Sequence, residues 1–203
     1  MPFLIKPWSP PRDVPAFRLY PDPPPFHDRA RLESYPACYP WENDVEVPPD
    51  AFPSAAREIN AFRVLPDYLG LKYWPAVSAP LRAVIEELEP GLHQFNELEV
   101  TYKSGKPHEH RYYCLNVRGY LYGSVIRELS TLQRMRNGVP DPKVKHEALV
   151  LDIDVIGNRH LWRAGDFHKK WFISDELARR VTQARLTGLN MQRHALGARR
   201  QAG

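Results

Sequence analysis

His108-Glu109-His110 is a compact group of possible metal ligands. On a strand the two histidines would share a face and offer two imidazoles to one ion. A metal site needs a third ligand and usually a fourth, and this triplet adjoins the turn formers Ser104-Gly105-Lys106-Pro107. The two histidines therefore read as solvated loop residues, and no metal is expected. Asp152 and Asp154 stand two apart in the apolar run EALVLDIDVI, residues 147–156. On a strand they would share one face, the spacing with which metal-dependent nucleases hold a divalent cation. No Glu-x-Lys or His follows to complete such a set, so the pair reads as the end of a buried strand.

Nucleophilic chemistry finds no better footing. The chain has no Gly-x-Ser-x-Gly elbow. Gly119-Tyr120-Leu121-Tyr122-Gly123-Ser124 puts aromatics where a phosphate loop needs backbone to approach closely. Cys114, between Tyr113 and Leu115, reads as a packed thiol, and Cys38 lies far from it in no metal-binding spacing. Two isolated cysteines and no export signal suggest a reducing cytoplasm. The expectation is a protein that is not an enzyme, with no cofactor and no catalytic residues.

The C-terminal half offers cations instead. Lys143, Lys145, His146, Arg159, His160, Arg163, His168, Lys169 and Lys170 are interleaved with Trp162 and Trp171. Cations with stacking aromatics are the footprint of nucleic-acid binding. Tryptophans beside strand-like apolar residues are more often core, and no helix-turn-helix, zinc-finger or RNA-recognition signature accompanies them. Nucleic-acid binding by the basic half stands as the alternative reading.

The elements that must position these groups are legible in part. Ser78 can cap a helix whose first turn holds Pro80, where a proline costs no hydrogen bond. Leu81, Val84, Ile85 and Leu88 then recur on one face, and Pro90-Gly91 stops the run. Residues 93–102 and 111–117 read as strands joined by a loop longer than two residues. Residues 59–65 read as a strand, and 147–156 as a longer one. Residues 121–135 show helical spacing at Val125, Leu129 and Leu132. Leu161-Trp162 and Trp171-Phe172-Ile173 suggest short strands, Ser174 caps a second helix, and 189–192 gives a last strand.

Fourteen of 21 prolines fall within the first 53 residues, interleaved with Trp8, Phe17, Tyr20, Phe26, Tyr35, Tyr39, Trp41 and Phe52. Proline lacks the amide proton that a helix interior or central strand requires. That combination predicts an extended arm over 1–53 lying on the body. An α+β domain would follow over 54–193, and a frayed basic tail over 194–203. With 203 residues, 43% hydrophobic, one core is the default. The fold expected is a single α+β domain, mostly antiparallel sheet with two or three helices, with no membrane span.

Charge is distributed unevenly. Residues 1–100 carry 9 Lys+Arg against 15 Asp+Glu, and 101–203 carry 19 against 9. No Lys or Arg lies between Leu32 and Ala56, where Glu33, Glu42, Asp44, Glu46 and Asp50 all fall. Such a dipolar molecule can steer a charged macromolecule.

In the order and spacing of its strand and helix blocks the chain resembles immunity protein family eleven, the antidotes of bacterial polymorphic toxin systems. The resemblance rests on Tyr73-Trp74-Pro75 with Ser78, Pro90-Gly91-Leu92-His93-Gln94-Phe95 and Tyr112-Tyr113-Cys114-Leu115-Asn116-Val117. It continues through Ala148-Leu149-Val150-Leu151-Asp152, His160-Leu161-Trp162-Arg163, Phe172-Ile173-Ser174-Asp175-Glu176-Leu177 and Leu186-Thr187-Gly188-Leu189. It implies a cytoplasmic α+β protein that binds and occludes a cognate toxin encoded nearby, with a nuclease as the implied class of toxin. The residues expected to meet the toxin are inferred from charge and aromaticity. They are Trp41 as anchor, with Glu42, Asp44, Glu46, Asp50, Glu86 and Glu87 as an acidic rim.

Overall fold

Helix α1 (Ala79–Leu88) begins where a serine can cap it: Ser78 Oγ accepts from the Leu81 amide at 3.4 Å, and Pro80 occupies the first turn. Leu81 and Ile85 are buried. In this computed structural model the helix is one of two that share a core between two sheets. The structure describes residues 1–6, 16–20, 44, 46–60, 64–71, 74–131, 135–136, 139–140, 148–165 and 171–198. The expected Trp41 and Glu42 contacts, Cys38 and most of the proline-rich stretch lie outside these residues.

The larger sheet runs β2 (Phe17–Tyr20), β3 (Ala55–Glu58), β6 (Gln94–Thr101), β7 (Tyr112–Asn116), β5 (Pro75–Ser78) and β4 (Tyr68–Gly70) in spatial order. Only the β3–β6 pair is parallel. The expected hairpin is β6–β7, with Phe95 opposite Leu115 and Leu98 opposite Tyr112. The second sheet runs β14 (Asn190–Arg193), β1 (Phe3–Lys6), β13 (Trp171–Ile173), β12 (Leu161–Ala164) and β8 (Tyr120–Leu121). The two described strands from the N-terminal 53 residues, β1 and β2, thus enter different sheets. Two small ladders complete the pairing: β9 (Met135–Arg136) with β10 (Val139–Pro140), and β11 (Val150–Asp152) with β15 (Ala195–Gly197).

Strand alternation sorts the apolar residues into layers, because successive side chains point to opposite faces. Leu98, Val100, Tyr112 and Cys114 meet Val47, Phe52, Leu69 and Trp74 on the outer face of the first sheet. Val77, Leu115 and Val117 face inward, where Leu81 and Ile85 of α1 meet Leu177, Ala178 and Val181 of α3 (Asp175–Gln183). Ile5, Leu161 and Ile173 of the second sheet close that middle layer. On the far face Trp162 stacks on Phe172 at 5.7 Å, covered by Val125, Leu149, Leu151 and Ile156. The result is a single α+β domain, mostly sheet.

Ser174 caps α3 as expected, accepting from the Leu177 amide at 3.1 Å, and Asp175 and Glu176 stand in the first turn. The loop after α3 is tied to the first sheet through Asp67. Its Oδ2 accepts from the Thr187 amide at 2.8 Å, and its Oδ1 from Ser78 Oγ at 2.6 Å. Gly188 sits at φ +91, and a Cβ there would lie 2.5 Å from the Tyr68 carbonyl oxygen. Only glycine fits that approach.

Four expectations change. Strand β3 ends at Glu58, because Ile59 and Asn60 bend and Asn60 Oδ1 takes the Ala16 amide at 2.6 Å. The strand expected over 59–65 therefore lies one step earlier, although 61–63 are outside the described residues. Residues 121–131 form no helix. Val125 is fully buried while Leu129 is 58% exposed, so the two share no face, and a 3-10 turn spans Arg127–Leu129. The run 147–156 is a strand only at β11, after which Asp152 caps the short helix α2 (Ile153–Ile156). The basic tail is not frayed at its start: His194 is buried, and β15 pairs in register with β11.

Candidate functional site

The groups that suggested chemistry are spent on structure. Asp152 is 2% exposed, and its Oδ1 accepts from the Asp154 amide at 3.1 Å. With Asp154 on α2 and not on a strand, the shared carboxylate face does not form. His108 lies half-buried beside Tyr102, ring centroids 4.9 Å apart, and its Nδ1 accepts from the His110 amide at 3.2 Å. Burial, then the neighbouring His110, lower its pKa. Among the described residues no group of three or more His, Cys, Asp or Glu could hold a metal ion. Cys114 is a free thiol at 0% exposure, and burial pushes its pKa up, away from a reactive thiolate.

One Ser–His contact was not foreseen. His160 Nδ1 lies 2.9 Å from Ser174 Oγ, because the β12–β13 register that sets Leu161 opposite Ile173 brings the preceding and following residues together. The hairpin pattern was the available signal. The serine oxygen also accepts from the Leu177 amide as a helix cap.

The most connected polar pair is Glu89 and His93, at the end of α1. Glu89 is 7% exposed and His93 6%. The Glu89 carboxylate accepts from His93 Nε2 at 2.8 Å and from the His160 and Leu161 amides at 2.9 Å each. His93 Nδ1 accepts from the Arg118 amide at 3.2 Å. A ring nitrogen that accepts carries no proton, so the ring proton is the one donated to Glu89. Burial would raise the Glu89 pKa, but the hydrogen bonds from His93 and the two amides outweigh it, and the carboxyl lies below its ordinary value.

The acidic residues separate into two kinds. Asp44 Oδ1 accepts from the Gly119 amide at 2.8 Å and lies 3.5 Å from Arg118 Nε. It pins its loop to the body. Glu46 and Asp50 are exposed on either side of a fixed point, Val47. Val47 is 0% exposed, its amide donates to Gln94 Oε1 at 2.9 Å, and its carbonyl accepts from Gln94 Nε2. Gln94 Oε1 also accepts from Asn116 Nδ2 at 3.3 Å. Pro48 and the 3-10 turn Pro49–Ala51 complete the loop. Glu86 and Glu87 lie on α1, and Glu87 binds Arg180 of α3 at 2.7 Å.

Among the cations and tryptophans singled out in the basic half, two described residues are buried. Trp162 is fully buried, and Arg163 is 3% exposed. The Arg163 guanidinium lies 4.6 Å from the Trp171 ring and donates to Tyr120 Oη at 2.9 Å, and burial lowers its pKa. Lys143, Lys145, His146, His168, Lys169 and Lys170 lie outside the described residues.

These features define a two-sheet α+β protein whose polar clusters brace the fold and whose pinned acidic loop faces outward. The family model for the immunity protein family (Imm11) matches residues 18–195, and the chain belongs to that family. No curated protein matches the chain. No helix among the described residues is long and apolar enough to cross a membrane.

Proposed function

We propose that this immunity protein neutralises its toxin by stoichiometric occlusion in the cytoplasm, without catalysis, and that the loop carrying Glu46 and Asp50 forms part of the contact. The observation that carries the reading is the double hydrogen bond between Gln94 and Val47. It ties the exposed acidic loop to β6 at Val47. A preorganised loop loses little conformational entropy on binding, so more of the contact energy remains as affinity. Proline at 48 and 49 limits the free loop in the same way.

A cationic cleft is the complementary surface, and a nuclease toxin, which must hold a phosphate backbone, would present one. Carboxylates can take the place of phosphates there and steer the encounter. The test is the association rate of purified protein with the toxin domain encoded by the neighbouring gene. Charge reversal by Glu46→Lys with Asp50→Lys should slow association about tenfold at low salt and much less at high salt. An unchanged rate at low salt would overturn the acidic contact and leave the immunity role standing.

A further inference from the structure

On the far side of the second sheet is a pocket of about 220 Å³. Its walls are Met1, Ile153, Ile156 and Leu196, and Trp162 lies at its floor. Met1, Ile153 and Leu196 are 49%, 48% and 39% exposed, so three large apolar side chains that could have been buried surround one opening. Scattered exposed apolar residues need no explanation, but a group of them around a concavity marks a contact site.

The size limits what can enter. A cavity of about 150 Å³ accommodates a benzene ring, whereas sites for drug-sized ligands span about 300–1,000 Å³. This pocket suits one large side chain, the kind of anchor that dominates protein interfaces.

The polar groups set the charge of what adjoins that anchor. Both carboxylates at the rim are engaged: Asp175 pairs with the Met1 ammonium, and Glu176 with Arg179 at 2.6 Å and Arg180 at 2.9 Å. Arg159 lines the same pocket and has no ion pair or side-chain hydrogen bond among the described residues. The Trp162 indole N–H is likewise buried without an acceptor among them. Arg159 is therefore the charged group of the lining left to meet a ligand.

We propose that this pocket receives one large apolar side chain of the cognate toxin, with an adjoining toxin carboxylate bound by Arg159. The inference rests on the immunity reading, and it adds a second contact, of opposite charge to the acidic loop. An antidote that presents an acidic loop and a cation-edged apolar pocket has two separate criteria for its partner. A toxin that satisfies only one is discriminated against.

The experiment titrates the purified protein with the toxin domain encoded by the neighbouring gene. It compares the wild type with Arg159→Glu and Leu196→Glu, with thermal unfolding run on each. In parallel the Trp162 indole N–H resonance, identified by its loss in Trp162→Phe, is followed on toxin addition. Each pocket variant should weaken binding at least tenfold at unchanged unfolding temperature, and the indole resonance should move. Pocket variants that bind within twofold of wild type, with an unmoved indole resonance, would overturn the pocket and leave the immunity reading intact. If the wild type itself neither binds nor inhibits the toxin, both readings fall. Should Leu196→Glu not fold, Arg159→Glu decides alone, since the Arg159 side chain has no ion pair or hydrogen bond among the described residues.

Discussion

Glu89 and His93 stand one helical turn apart in sequence, yet their 2.8 Å contact joins four parts of the molecule. Glu89 ends α1 and takes the His160 and Leu161 amides at the entry to β12, while His93 opens β6 and takes the Arg118 amide beyond β7. Arg118 in turn approaches Asp44, at the base of the acidic loop. A buried polar network with its partners in place specifies one arrangement of the elements it joins. Here it fixes the second sheet against the first at the end of the molecule from which the acidic loop emerges.

Replacing Glu89 with Gln removes the charge and sets an amide N–H₂ against backbone N–H donors. Hydrogen bonds to a charged acceptor are worth about 1.5–3 kcal/mol, and an unpaired buried donor costs a similar amount. Glu89→Gln should therefore destabilise by about 2–3 kcal/mol at pH 7. The pH dependence has a definite sign. The folded-state pKa of Glu89 is lowered from the ordinary value of 4.5, so its stabilisation is fully present above that value. It is lost as pH falls through the lower folded-state value. Denaturant unfolding at pH 7, 5, 4 and 3 should show the gap between wild type and variant closing only below the unfolded-state pKa. A gap that stays constant to pH 3 would contradict the account.

The α1–α3 contact offers two candidate sources of stability, and magnitude decides between them. Glu87 with Arg180 is a solvent-facing pair, its side chains 63% and 35% exposed, and such pairs are worth about 0–1 kcal/mol. Ile85 is 4% exposed against Leu177 and Val181, and truncating a core isoleucine to alanine costs about 2–5 kcal/mol. Ile85→Ala should thus lower the unfolding midpoint several times more than Glu87→Ala. Comparable losses in a chemical unfolding series would mean that the ion pair is more strongly coupled than its exposure implies.

How much of this was legible in the sequence follows from how local each cause is. The Ser78 and Ser174 caps, Pro80 and the apolar face of α1 act within one or two turns, and the sequence places them correctly. The β6–β7 and β12–β13 hairpins are also local. The parallel pairs β3–β6, β8–β12 and β11–β15 join distant segments, and no short-range pattern announces them. Because of β11–β15, Ala195-Leu196-Gly197 is a strand and not a loose end. The helical spacing in 121–131 failed for a related reason: isolated bridges from Val125 to Leu151 and from Thr131 to Ala148 draw that segment into extended contacts. Composition places an acidic stretch at 33–50, but it cannot tell that the exposed Asp44 is tied to a backbone amide of the body. That tie depends on Gly119, 75 residues away.

The buried thiol gives a direct measure of how the core opens. In a Cys38→Ser background, Cys114 at 0% exposure should be silent to a thiol reagent at pH 8 and react only as the domain unfolds. Its labelling rate should follow the population of the open state. Rapid labelling under native conditions would show that the face covered by Val47, Phe52 and Trp74 opens locally.

Asp44 and Glu46 lie two residues apart, and under the proposed toxin contact they take different duties. The Asp44 carboxylate holds the amide of Gly119, a buried residue at φ +110. Asp44→Ala leaves that donor unpaired and should cost about 1–2 kcal/mol. Glu46 is exposed, and Glu46→Lys should change stability by less than about 0.5 kcal/mol. Against the toxin domain the order should reverse. Glu46→Lys should slow association at low salt, whereas Asp44→Ala should act mainly through the dissociation rate, by loosening a loop that binding needs fixed. Equilibrium unfolding and binding kinetics on the two single variants separate these roles. If Asp44→Ala leaves stability untouched yet slows association as Glu46→Lys does, Asp44 belongs to the contact itself and not to the anchor.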